Sequence, residues 1–141
     1  MGSGAAPCQT EQVTGMARSV LAEIAGMLRA LADDGTTGSI DLRSLPLTEA
    51  DRQQLEEALG QGEIRAELEL AGRSSVWETR YPGAWWVRHR GAQDTISSEE
   101  IVVCRVPEIL KSHPADITAA ALRMEQELKQ TPSIHSEASN G

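Results

Sequence analysis

From Glu11 to Asp33, apolar positions recur at three- and four-residue steps: Val13, Ala17, Val20, Ile24, Leu28 and Leu31. That spacing predicts one helix with an inward stripe, and Gly35 ends it. Gly15, Ser19, Ala22, Gly26 and Ala30 form a second stripe of small residues on nearly the opposite side. Interior glycines cost about 1 kcal/mol each relative to alanine. The stripe therefore reads either as a plain solvent face or as a place where another helix, including a partner's, comes close.

Thr37–Leu42 (TGSIDL) is a short strand, and Arg43–Leu47 (RSLPL) is a turn into a second helix. Thr48 is placed to cap that helix by accepting from the Asp51 amide. Glu49 and Asp51 lie in its first turn, Leu55, Ala58 and Leu59 face inward, and Gly60 follows its end. At Glu63 the period changes to two: Ile64, Ala66, Leu68 and Leu70 alternate with Glu63, Arg65, Glu67 and Glu69. Ala71-Gly72 turns this strand back into Ser74–Tyr81, Pro82-Gly83 turns again into Trp85–Arg90, and a fourth strand runs Ser97–Val106. Pro107–Lys111 suggests a helical turn before a last helix that opens at Pro114, with Ile117, Ala121, Met124 and Leu128 as its inner stripe.

The predicted fold is therefore α+β: an antiparallel β-meander of four strands plus a short additional strand, packed with an N-terminal helix, a middle helix and a C-terminal helix. Residues 1–10 read as a flexible start, 11–130 as one domain and 131–141 as a polar, disordered tail.

Composition narrows the chemistry. The 141 residues contain no Phe, one Tyr and three Trp, so the core must be mostly aliphatic. Thirteen Lys plus Arg against 21 Asp plus Glu leave a net charge of −8, which argues against a nucleic-acid backbone as partner. The charge is uneven. Arg73, Arg80, Arg88 and Arg90 against Glu78 give Arg73–Arg90 a local +3, leaving −11 for the remainder. No apolar run approaches a membrane span, and no basic-then-apolar leader precedes the domain, so a cytoplasmic location is expected. Cys8 and Cys104 do not form a C-x-x-C pair, which fits a reduced compartment.

All four aromatic residues, Trp77, Tyr81, Trp85 and Trp86, fall within ten positions. A three-residue loop Pro82–Ala84 would set Tyr81 opposite Trp85, Thr79 opposite Val87 and Trp77 opposite His89 as one inward face. Trp86, Arg88 and Arg90 would then point outward, whereas a two-residue loop would divide the aromatics differently. Either the group compensates for the missing Phe, each indole burying about 150–250 Å², or Trp86 between arginines is an exposed contact residue of the kind enriched at binding hot spots.

Catalysis finds little support. His89 and Cys104 lack an orienting third group, and the adjacent pairs Asp33-Asp34, Glu56-Glu57 and Glu99-Glu100 read as solvated charge. His89, His113 and His135 do not show metal-ligand spacing, and Gly35–Gly38 (GTTG) lacks the lysine of a phosphate loop. No catalytic residue, metal or cofactor is expected.

Gly38–Leu47 (GSIDLRSLPL), Glu78–His89 (ETRYPGAWWVRH) and Val106–Leu110 (VPEIL), followed by Pro114–Ile117 (PADI), resemble the conserved region of HupH/HyaF-type hydrogenase expression proteins over about Met16–Lys129. The resemblance implies a chaperone-like, non-enzymatic accessory protein of [NiFe]-hydrogenase maturation. Its partner would be the precursor of the iron–sulfur small subunit before twin-arginine export, including the export signal peptide, together with other accessory proteins. Members of the family are commonly about twice this length. The matched positions Arg43, Tyr81, Pro82, Gly83, Trp85, Trp86, Arg88 and His89 are candidate protein contacts. The alternatives are a structural adaptor or homodimer built on the small-residue stripe, and a Cys-His hydrolase.

Overall fold

A computed structural model describes residues 13–69 and 72–130. Its elements are α1 (Met16–Asp34), β1 (Gly38–Asp41), α2 (Glu49–Leu59), β2 (Arg65–Glu69), β3 (Arg73–Glu78), β4 (Ala84–Arg90), β5 (Ile96–Val103) and α3 (Pro114–Gln130), with short 3-10 turns at Leu42–Ser44, Ala92–Asp94 and Glu108–Leu110. The five strands form one antiparallel sheet in the order β1-β5-β4-β3-β2. This is the α+β fold with a four-strand meander and one added short strand. The expectations for residues 1–10 and 131–141 lie outside the described residues.

Two compact units can be distinguished, one ending at Pro107 and one starting at Glu108. In the first, α1 and α2 cover one sheet face. Ala17, Val20 and Ile24 of α1 and Leu55 and Leu59 of α2 meet Ile40, Trp77, Ala84, Trp86, Ile101 and Val103. The inward stripe read for α1 is correct at its centre, but Val13 is 58% exposed, and the small-residue stripe is solvent-facing apart from half-buried Ala30. In the second unit, α3 forms as its sequence predicts, yet none of its residues is buried. Ile117, Met124 and Leu128, expected as an inner stripe, are 56%, 65% and 53% exposed. Periodicity identifies which side chains share a helix face, not whether anything covers that face.

The entry to α2 is over-determined. Thr48 Oγ1 accepts from the Asp51 amide at 3.0 Å, and the Asp51 carboxylate accepts from the Thr48 amide at 3.1 Å, completing a capping box. The same carboxylate takes the Thr14 amide at 2.8 Å and the Thr14 hydroxyl at 2.7 Å, tying the start of α1 to the start of α2. Asp51 is fully buried. Burial by itself would raise its carboxyl, but the bonds from Thr14 and Thr48 outweigh burial and hold it at about 2.

The β3–β4 hairpin departs from both sequence readings. The observed partners are Val76 with Val87, Trp77 with Trp86 and Glu78 with Trp85. β3 stops at Glu78, because Thr79 organises a longer connection. The Thr79 amide donates to Ala84 O at 2.9 Å, its hydroxyl accepts from the Tyr81 amide at 3.1 Å, and Arg80 N reaches Leu59 O at 2.8 Å. Gly83 has φ +97, and a Cβ there would lie 3.2 and 3.3 Å from Leu28 and Leu31, so the turn needs glycine to pass close to α1. This register puts Trp86 and Arg88 on the helix-covered face, the reverse of the expected arrangement.

Because Asp51 binds its proton less readily folded than unfolded, its stabilisation is complete above about pH 4 and is lost as pH falls through its folded pKa of about 2. Asp51→Asn should cost about 1–3 kcal/mol at neutral pH and flatten the loss of stability between about pH 4 and 2, as read from urea unfolding midpoints across that range.

Candidate functional site

Two constellations occupy the helix-bearing side of the first unit. One is a buried network. Trp77 and Trp86 stack with centroids 5.6 Å apart and planes 7° from parallel. The Arg88 guanidinium lies 5.1 Å from the Trp77 centroid and 5.7 Å from that of Trp86, and Arg65 lies 4.8 Å from Trp77. Arg88 Nε donates to Glu99 Oε2 at 2.6 Å and Nη2 to Glu56 Oε1 at 3.1 Å, while Trp86 Nε1 donates to Glu99 Oε2 at 3.1 Å. Arg52 of α2 pairs with the other Glu99 oxygen. Glu99 is completely buried.

A carboxylate sequestered in this way is neutralised by two guanidiniums and one indole. It clamps α2 onto β4 and β5 and is shut off from any substrate. At the sheet edge, the Ser75 hydroxyl at 2.8 Å and Arg65 Nε at 2.9 Å hold the Glu67 carboxyl below the usual carboxylate range despite some desolvation. The expectation of Trp86 as an exposed contact is therefore corrected. It is 0% exposed, because it pairs with Trp77 on the inward side.

The second constellation is open. Leu21, Ile24, Ala25 and Leu28 of α1, Ala58 and Leu59 of α2, and Tyr81 line an apolar cleft of about 230 Å³. Ala25 and Ala58 leave the space between the two helices. Tyr81, 46% exposed, closes one end. Arg80 stands beside it with its guanidinium 5.8 Å from the phenol ring and Nη2 donating to Ala58 O at 3.0 Å. Thr79 and Gly83 fix this corner, so Tyr81 is held by backbone bonds on both sides.

The remaining candidates are spread apart. Pro82 is exposed and Gly83 half-buried in the connection beside Tyr81. Trp85 is buried on the opposite sheet face, its Nε1 donating to Cys104 O at 3.1 Å. Arg43 is exposed on the Leu42–Ser44 turn, next to a separate depression of about 380 Å³ lined also by Leu45, Leu47, Glu49, Arg52 and Ile96. His89 is half-buried and bonded through Nδ1 to Ser74 Oγ at 2.6 Å. Cys104 is buried, and its amide donates to Gly83 O at 2.9 Å, at the far end of β4 from His89. The two are separated by about 17 Å of strand, so the structure does not assemble the Cys-His pair. Among the described residues, no group of three or more His, Cys, Asp or Glu could hold a metal ion, and no helix is long and apolar enough to cross a membrane.

Glu99, Arg52, Leu21, Ala25 and Ala58 were not singled out as a site from sequence. A signal existed for the first two. Glu99 shares strand parity with Ile101 and Val103, and Arg52 lies three residues before Leu55, so both belong to inward faces. For the cleft no such signal existed, because its width depends on how two helices sit on the sheet.

Residues 15–131 match the C-terminal conserved region of the HupH hydrogenase expression protein. The chain belongs to this family. A hydrogenase expression protein HupH from Thiobacillus denitrificans ATCC 25259 has a solved structure similar to it at a TM-score of 0.81 and 39% identity, over 84% of this chain and 99% of that one. Hydrogenase expression/formation protein HoxQ of Azotobacter vinelandii is 29% identical over 98 residues, 70% of this chain and 34% of HoxQ. Hydrogenase-1 operon protein HyaF of Escherichia coli (strain K12) is 30% identical over 96 residues, 66% of this chain and 33% of HyaF. The chain thus spans about a third of the length of these two curated relatives. The matched HupH region contains both the buried network and the cleft.

Glu99→Gln would leave Arg52 and Arg88 without their shared counter-charge. It should cost about 3–5 kcal/mol in urea unfolding, whereas truncating the exposed Arg43 to alanine should shift the midpoint by less than about 0.5 kcal/mol.

Proposed function

We propose that this chain is a binding module of a hydrogenase accessory protein, acting by holding a polypeptide rather than by catalysis. The family and the names of its relatives, which refer to hydrogenase expression, formation and operon function, supply the context. The client on this reading is the iron–sulfur small subunit of a [NiFe] hydrogenase, held in the cytoplasm before its export.

The observation that carries the reading is the open apolar cleft with Tyr81 at its end. Tyr81 lies in the same ETRYPG segment that carries the sequence resemblance, and it is the one aromatic side chain of the four that stays exposed. An apolar recess walled by two helices accepts side chains of a partner segment, as in helix-in-groove recognition. Release of ordered water from aliphatic walls supplies the affinity. Pro82 and Arg43 remain candidate contacts on the exposed surface, while Trp85, Trp86 and Arg88 act from beneath by holding the framework.

The test is recovery of the small-subunit precursor from its host on the tagged chain. Tyr81→Ala should lower recovery several-fold, and Ala25→Leu, which fills the cleft from an exposed position, should lower it further while leaving the unfolding midpoint within about 0.5 kcal/mol of wild type. Full recovery with Ala25→Leu would remove the cleft from the reading. Normal small-subunit processing in a gene deletion would remove the client.

A further inference from the structure

We infer that the segment received by the cleft is an amphipathic helix whose apolar stripe is flanked by acidic residues; this rests on the reading of the cleft as a client site. Leu21, Ala25 and Leu28 line it along eight residues of α1, a run of about 10 Å. That length matches two turns of a partner helix, which presents apolar side chains at i, i+3 or i+4, and i+7.

The charge around the cleft selects the flanks. Arg18, Leu21, Ala25 and Arg29 recur at three-, four- and four-residue steps, so both arginines share the cleft-bordering face of α1. Arg80 is anchored to Ala58 O and laid against Tyr81, two of the lining residues. Three arginines therefore border an apolar recess in a chain of net charge −8. Of the acidic groups on the neighbouring segments, Asp33 is already paired with Arg29 at 3.6 Å, Glu78 accepts from the Gly83 amide at 3.2 Å, and Glu57, next to Ala58 in sequence, is exposed. Such a rim favours glutamate or aspartate beside the apolar stripe and disfavours lysine or arginine there, through attraction that steers approach and rejects the wrong partner. A segment carrying the paired arginines of an export signal meets the wrong sign of charge at this cleft.

Fluorescence anisotropy with two labelled, helix-stabilised 15-residue peptides tests this on the full chain. Both carry leucines at i, i+4 and i+7; one has glutamates on the flanks and the other lysines. The glutamate peptide should bind about tenfold more tightly at low salt and lose that advantage as salt rises. Arg18→Glu should erase the preference, and Ala25→Leu should abolish binding of both. Equal affinities, or a preference unaffected by Arg18→Glu, would overturn the acidic-flank assignment while leaving the cleft as a client site. Failure of both peptides to bind while Ala25→Leu still blocks precursor recovery would overturn the helical segment alone. A free chain that scatters light as a dimer, and becomes monomeric with Ala25→Leu, would place a second copy in the cleft and overturn the inference.

Discussion

Glu99 is a full negative charge with no exposed surface, and a lone carboxylate in such a place would be intolerable. It is retained because three partners converge on it: Arg52 from α2, Arg88 from β4 and the indole of Trp86. Arg88 in turn spreads over the stacked faces of Trp77 and Trp86, and its second arm reaches Glu56. The position of α2 on the sheet is thus set by charge as well as by Leu55 and Leu59. Aliphatic contact alone would let α2 slide, because burial has no preferred direction; a forked guanidinium facing a carboxylate does. With α2 so placed, the gap beside Ala58 follows.

Much of the architecture was legible because it rests on local chemistry. The Thr48–Asp51 capping box, the glycine stop at Gly35 and the alternation through Arg65–Glu69 are decided by residues close together in sequence, although Ile64, read as part of the inward face, is 48% exposed just ahead of the strand. The hairpin register was not legible. It turns on the Thr79 hydroxyl and on Arg80 N reaching Leu59 O, the latter a bond to a residue 21 positions earlier. A slip in register reverses every side chain's face, and for this reason Trp86 and Arg88, read as outward, lie inside.

The candidate site was legible only at Tyr81, Pro82 and Gly83. Those residues form a motif in the sequence, and the structure gives them a physical setting: a turn set against Leu28 and Leu31 from which Tyr81 lines the cleft. The aromatic and arginine-rich appearance of Trp77–Arg90 pointed to a binding surface, yet most of it is internal scaffolding. Aromatic and cationic residues that bind partners and those that lock a core obey the same stacking and pairing rules, so composition alone cannot separate the two.

The cleft owes its opening to two methyl side chains, Ala25 and Ala58, neither of which belongs to the buried core cluster. Ile24 and Leu59 of the same lining do belong to that cluster, so the core supplies the floor of the recess while Ala25 and Ala58 set its width. Successive small enlargements at these two sites would narrow, reshape or seal the recess without disturbing the charged lock beneath it, so the shape of this surface can diverge while the framework stays constant.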